Sequence, residues 1–155
     1  MKVIIGADHA GFEYKNILIQ SMKEAGYTVL DIGSITLDPS DDYPDRAVDA
    51  ANALRNGQGE RAILICGSAV GISIAVNKFK GIRAGICHDT YSAHQGVEHD
   101  NMNVLCMGQR VIGIELAKEI AFAFLKANFS KAPRHLRRLK KIATIEGETM
   151  KETAP

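Results

Sequence analysis

Five short runs of β-branched and aliphatic residues, set apart by stretches with a helical period, restrict what this chain can fold into more than any other feature. The runs are Lys2 to Ala7, Tyr27 to Gly33, Arg61 to Gly67, Arg83 to Asp89 and Asn103 to Gly108. Each is short and nearly continuous in apolar residues, the pattern of a strand covered on both faces. Between them the period changes. Tyr14, Ile17, Leu18, Met22 and Ala25 share one helical face that stops at Gly26, and Ala47, Val48, Ala51 and Leu54 repeat the pattern after Pro44, which suits a first turn. Further helices are predicted from about Gly71, from about Thr90 and from Gly113, the last with Ala117, Ile120, Ala121, Phe124 and Leu125 along its inner face.

Strands separated by helices of this length need crossover connections, and crossovers make neighbouring strands parallel. The predicted class is therefore α/β: a Rossmann-like three-layer sandwich, with a five-stranded parallel sheet, helices on both faces and a C-terminal basic helix. Ligands of such folds bind beyond the carboxyl ends of the strands. The basic helix begins after Pro133, with Arg134, Arg137, Arg138 and Lys141 on one side and Leu136, Leu139 and Ala143 on the other. Residues 1–145 are expected to form one domain and residues 146–155 a frayed tail.

A length of 155 residues suits a single core. A net charge of +1 gives no reason to expect nucleic acid, and no apolar stretch is long enough to cross a membrane. The amino terminus enters a strand directly, so a soluble, cytoplasmic protein is expected. Cys66, Cys87 and Cys106 show no CxxC spacing, which argues against a zinc cluster and against a disulfide framework, and they are read as reduced thiols.

The residues with chemical potential fall at the predicted strand ends. Asp8 and His9 follow the first strand, where Asp8 can cap a helix or meet a ligand. Cys66 ends the third and runs through Gly67, Ser68, Ala69, Val70 and Gly71 into a helix, a turn whose free amides suit an anion or a developing oxyanion. A thiol there is expected to ionise more easily and to serve as a base toward carbon. Cys87 and Cys106 fit buried structural thiols better. His99, in the polar stretch from His94 to Asn103, is either a general acid or base or a solvated histidine. Arg110, and Arg134 with Arg138 one turn apart, can gather on a phosphate, the alternative for the latter pair being a solvated basic face.

Asp8-His9-Ala10-Gly11, Asp42-Tyr43-Pro44, Ile65-Cys66-Gly67-Ser68-Ala69-Val70-Gly71-Ile72-Ser73, Asn77-Lys78, Gly81-Ile82-Arg83, Glu98-His99, Asn103-Val104-Leu105 and Gly108-Gln109-Arg110 together resemble the ribose-5-phosphate isomerase B family, which includes galactose-6-phosphate isomerase subunits. The resemblance spans roughly residues 1 to 145. It implies an aldose–ketose isomerase that interconverts ribose 5-phosphate and ribulose 5-phosphate through an enediolate, without cofactor. Cys66 then matches the proton acceptor and His99 the group that assists ring opening. Gly67, Ser68, Ala69, Val70 and Gly71 match the anion-holding turn; Asp8, His9, Tyr43 and Asp100 match positions around the sugar; Arg110, Arg134 and Arg138 match a phosphate clamp. A homodimer or dimer of dimers with shared active sites is also implied. The chain has Ser68, Ala69 and Asp100 where the family often has Thr, Gly and Asn. A hexose-phosphate isomerase of the galactose 6-phosphate or allose 6-phosphate type, and a non-catalytic sugar-phosphate-binding module, are the alternatives. A flavodoxin-like carrier is disfavoured because no aromatic pair is placed to sandwich a flavin.

Overall fold

The computed structural model describes residues 1–149. Its strands are β1 (Lys2–Ala7), β2 (Thr28–Asp31), β3 (Arg61–Cys66), β4 (Ala84–Ile86) and β5 (Val104–Gly108). The helices are α1 (Phe12–Glu24), α2 (Tyr43–Arg55), α3 (Val70–Val76), α4 (Thr90–Asp100), α5 (Ile114–Lys126) and α6 (Pro133–Thr149). The sheet order is β2-β1-β3-β5-β4, with every neighbouring pair parallel. The predicted sandwich is thus the observed one.

Strand alternation divides the core into two. Val3, Ile5, Ile63, Ile65, Leu105 and Met107 face a layer of α1, α4 and α5, where Leu18, Met22, Val97 and Phe124 are buried. Ile4, Ala62, Leu64, Val104 and Cys106 face the other way, onto the small side chains Ala47, Ala50 and Ala51 of α2 and onto Ile72 and Val76 of α3. The alanines bring α2 close to the sheet, and Cys66 belongs to this second layer.

Two expectations need correction. The second and fourth strands are not fully buried: β2 keeps four residues and β4 three, all exposed or half-buried, because each is an edge strand with a partner on one side only. The terminal helix also runs past Glu146 and Gly147 to Thr149, where a frayed tail was expected. Glu146 is tied down by the backbone N–H of Gly81, 2.7 Å from its Oε1. Residues 150–155 of that expected tail lie outside the described residues.

Candidate active site

Strand β1 delivers Asp8 and His9 to the carboxyl edge of the sheet. Asp8 does act as a cap: its Oδ1 accepts the N–H of Ala10 at 3.0 Å and starts a short 3-10 turn, His9–Gly11. Burial raises its pKa above the ordinary carboxylate value, and the neighbouring His9 works against that rise. His9 is clamped by Asp41, whose Oδ1 takes both the His9 backbone N–H at 2.8 Å and its Nδ1 at 2.9 Å. The side-chain bond to Asp41 lifts the His9 pKa, so the imidazole holds its proton more tightly than a free one. Sequence reasoning missed Asp41. In the run Asp38-Pro39-Ser40-Asp41-Asp42 it looks like any solvated loop acid.

Strand β3 ends at Cys66, which is 4 % exposed. The N–H of Ala69 points at its Sγ from 3.1 Å, so the turn folds back over the sulfur. That return requires Ala69 to adopt φ 71°, ψ −14°, the left-handed region that costs a residue with a Cβ about 1–2 kcal/mol. Helix α3 has only seven residues. Any anion held here relies on the amides of the turn more than on a long helix dipole. Tyr43, at the start of α2, lies directly over Gly71: a Cβ there would come within 2.6 Å of the Tyr43 ring.

The turn after β5 is pinned to the one after β3. Gln109 N–H donates to the Cys66 carbonyl at 2.9 Å and Arg110 N–H to the Gly67 carbonyl at 3.0 Å. Gly108 N–H donates to Nε2 of His88 at 2.9 Å, a further contact that the sequence did not reveal. The result is a cleft of about 310 Å³ lined by Asp8, His9, Tyr43, Cys66, Ser68 and Arg110, with Gly67, Gly71, Ala10 and Val111 completing the wall. Ala69 is wholly buried beneath the turn, and Val70 is about half exposed at its rim.

The remaining predicted residues are elsewhere. His99 and Asp100 close α4, Arg134 and Arg138 open α6, and none of the four lines the cleft. They form a second polar patch. Gln95 Nε2 donates to Nδ1 of His99 at 2.8 Å, which leaves Nε2 to carry the proton of the neutral ring. His99 also stacks on His135, with ring centroids 4.1 Å apart. Asn101 ends α4 in the left-handed region, at φ 49°, which asparagine tolerates. His135 went unnoticed in the sequence because it sits inside a run of arginines and lysines.

The other two thiols are inert by environment. Burial pushes Cys87 up to about 11, in a separate cavity of about 270 Å³ lined by Arg83, Ser92, Asp100 and Met102 among others. Cys106 is raised further by burial under the sheet. Among the described residues there is no cluster of three or more His, Cys, Asp or Glu side chains that could hold a metal ion. No described helix is long and apolar enough to cross a membrane.

With this geometry in place, similarity to known proteins covers nearly the whole chain. A family model described as Ribose/Galactose Isomerase matches residues 3–142. Ribose-5-phosphate isomerase B of Escherichia coli K12 is 43 % identical over 145 residues, 94 % of this chain and 96 % of that protein. D-erythrulose-4-phosphate isomerase 2 of Mycolicibacterium smegmatis is 40 % identical over 149 residues, covering 95 % and 98 %. Among solved structures, ribose-5-phosphate isomerase B from Mycoplasma genitalium with bound ribulose-5-phosphate superposes with a TM-score of 0.88 at 38 % identity, over 95 % of this chain and 97 % of that one.

Proposed function

The chain belongs to the ribose/galactose isomerase family, and from that premise we propose that it interconverts ribose 5-phosphate and ribulose 5-phosphate with Cys66 as the base. The observation that carries this reading is the Cys66 thiol at the foot of a polar cleft, with the Ala69 amide aimed at its sulfur. A thiolate there takes the proton from C2 of the open-chain aldose. The C2–H electron pair becomes the C1=C2 bond, and the carbonyl electrons settle on O1, giving an enediolate beside the amides of residues 67–71. The proton of the C2 hydroxyl passes to O1, the C2 carbonyl forms, and C1 takes its proton back from Cys66. Oxidation at C2 balances reduction at C1, so the reaction itself calls for no external oxidant or cofactor.

Ring opening and phosphate binding fall to the second patch. His99, with Nδ1 occupied by Gln95, presents a protonated Nε2 suited to donating to the ring oxygen. Arg134 and Arg138, one turn apart and both exposed, suit a phosphate. Because that patch does not line its own chain's cleft, the reading includes a homodimer, or a dimer of dimers, in which one subunit's α4 and α6 close the other's cleft. Val70, Ile74 and Tyr91 are exposed apolar side chains on α3 and α4, available for such a contact.

A second reading is favoured by the M. smegmatis relative: D-erythrulose 4-phosphate, one carbon shorter, undergoes the same proton shift. The deciding experiment is an isomerase assay in EDTA, comparing ribose 5-phosphate, D-erythrulose 4-phosphate and galactose 6-phosphate at equal concentrations. A kcat/KM highest for ribose 5-phosphate supports the first reading. A preference for the four- or six-carbon phosphate replaces it, and loss of all activity in EDTA refutes a metal-independent mechanism.

A further inference from the structure

His135 is 2 % exposed although it stands in the most basic stretch of the chain. Its ring is held on three sides: Nδ1 lies 2.7 Å from Ser130 Oγ, Nε2 lies 3.0 Å from Arg134 Nε, and one face stacks on His99. Arginine is a donor only and keeps its proton, so the Arg134 bond requires a lone pair on Nε2. A neutral imidazole with that lone pair carries its proton on Nδ1 and donates it to Ser130 Oγ. Ser130 is anchored in turn to the strand-facing helix, since its N–H donates at 3.0 Å to the carbonyl of Glu98, the residue before His99.

We propose that His135 is the positioning residue of this patch: as the neutral, Nδ1-protonated imidazole it aims the Arg134 guanidinium through Nε2 and supports His99 on its face. The inference rests on the reading of Arg134 as a phosphate ligand and His99 as the ring-opening group. It ties two functions together, because the same ring orients an anion ligand on α6 and a proton donor on α4.

The surroundings keep His135 neutral. Burial first, then the charges of His99, Arg134 and Arg138, lower its pKa below the ordinary histidine value, against a smaller opposing pull from Asp100. Protonation would set an N–H against the Arg134 N–H and add a third charge beside two arginines. Since the folded pKa is depressed, the stabilisation is present in full above the ordinary value of about 6.5 and is lost as pH falls below it. In the folded protein the Nε2 acceptor for Arg134 therefore persists below the ordinary histidine value, and is lost only where His135 itself takes a second proton.

Sulfate is the suitable probe, because its charge is constant over this range. The tests are ¹⁵N shifts of the His135 ring in the intact protein, and sulfate affinity by calorimetry for the parent, His135→Phe and His135→Gln. The expected results are a proton on Nδ1 at pH 7 and sulfate binding about tenfold weaker in His135→Phe, the scale of one hydrogen bond to a charged group. His135→Gln, whose Oε1 can accept from Arg134, should recover most of the loss, and KM for the sugar phosphate should change more than kcat. A proton on Nε2, or a folded His135→Phe protein that binds sulfate as the parent does, overturns the proposal. Purely structural packing would lower Tm in both variants without separating them. If the parent isomerises no sugar phosphate, the functional reading fails, while the ring shifts and sulfate affinities still decide the role of His135.

Discussion

The cleft at the sheet edge and the patch on α4 and α6 are built by different means. In the cleft, main chain positions side chains: β1, β3 and β5 end in register, and the turns after β3 and β5 are bonded to each other through Gln109 and Arg110. In the patch, side chains position side chains, with Gln95, Ser130 and His135 holding His99 and Arg134. The cleft owns Cys66 and Arg110; the patch owns His99, Arg134 and Arg138, to which the proposed function gives the proton donor and the phosphate ligands. A site fixed by backbone tolerates changes around it, whereas a network of side chains loses its geometry when one member goes.

The largest test of this contrast is Cys66→Ser, which should reduce kcat by about 10²–10⁴-fold, since a hydroxyl is far harder to ionise than a thiol. Substrate binding should persist and Cys87→Ser should keep the parent kcat; a Cys66→Ser enzyme that turns over and exchanges the C2 proton at the parent rate would falsify the base assignment. Next comes a mixing experiment. Cys66→Ser and His99→Asn should each be nearly inactive, yet after unfolding and refolding together they should regain about a quarter of parent activity, because half the dimers are mixed and each mixed dimer has one intact site. No recovery would mean that cleft and patch never meet across subunits.

Smaller effects are expected from the arginines proposed to hold the phosphate. Arg134→Ala and Arg138→Ala should each raise KM by about 10- to 100-fold with a lesser change in kcat, as charge-assisted phosphate bonds are lost. Unchanged KM in both would return α6 to a merely solvated face. The smallest effect is at Ala69, where Gly removes the cost of a left-handed φ. Part of that gain is offset by the freer unfolded chain, which leaves Tm about 2–4 °C higher at most. A fall in Tm would show that the Ala69 methyl packs better than its backbone conformation suggests.

The three central strands were legible because unbroken apolar runs such as Val3-Ile4-Ile5 and Ile63-Leu64-Ile65 need cover on both faces. The edge strands were overextended in the reading. Tyr27 and Gly33, or His88 and Asp89, continue the local pattern, but the paired register with β1 covers only Thr28 to Asp31 and that with β5 only Ala84 to Ile86. Around the site, residues following strand ends were found from their order in sequence. Asp41, His88 and His135 were not, because each acts through a contact made by folding: 32 residues away for Asp41 and 20 for His88. His135 escaped for a further reason. Its bond to Arg134 joins chain neighbours, yet the burial that gives it meaning comes from α4 across the patch.

Tyr43 resting on the bare backbone of Gly71 also constrains how this site can change over generations. With the ring in place, any side chain at position 71 meets aromatic carbon at 2.6 Å. The contact is with the outer end of a ring that is 40 % exposed, so a side chain at 71 displaces that ring outward, and a smaller residue at 43 removes the obstacle outright. The two positions are therefore coupled: a change at 71 moves the aromatic wall of the cleft, and libraries that vary 43 and 71 together reach packings that varying 71 alone does not.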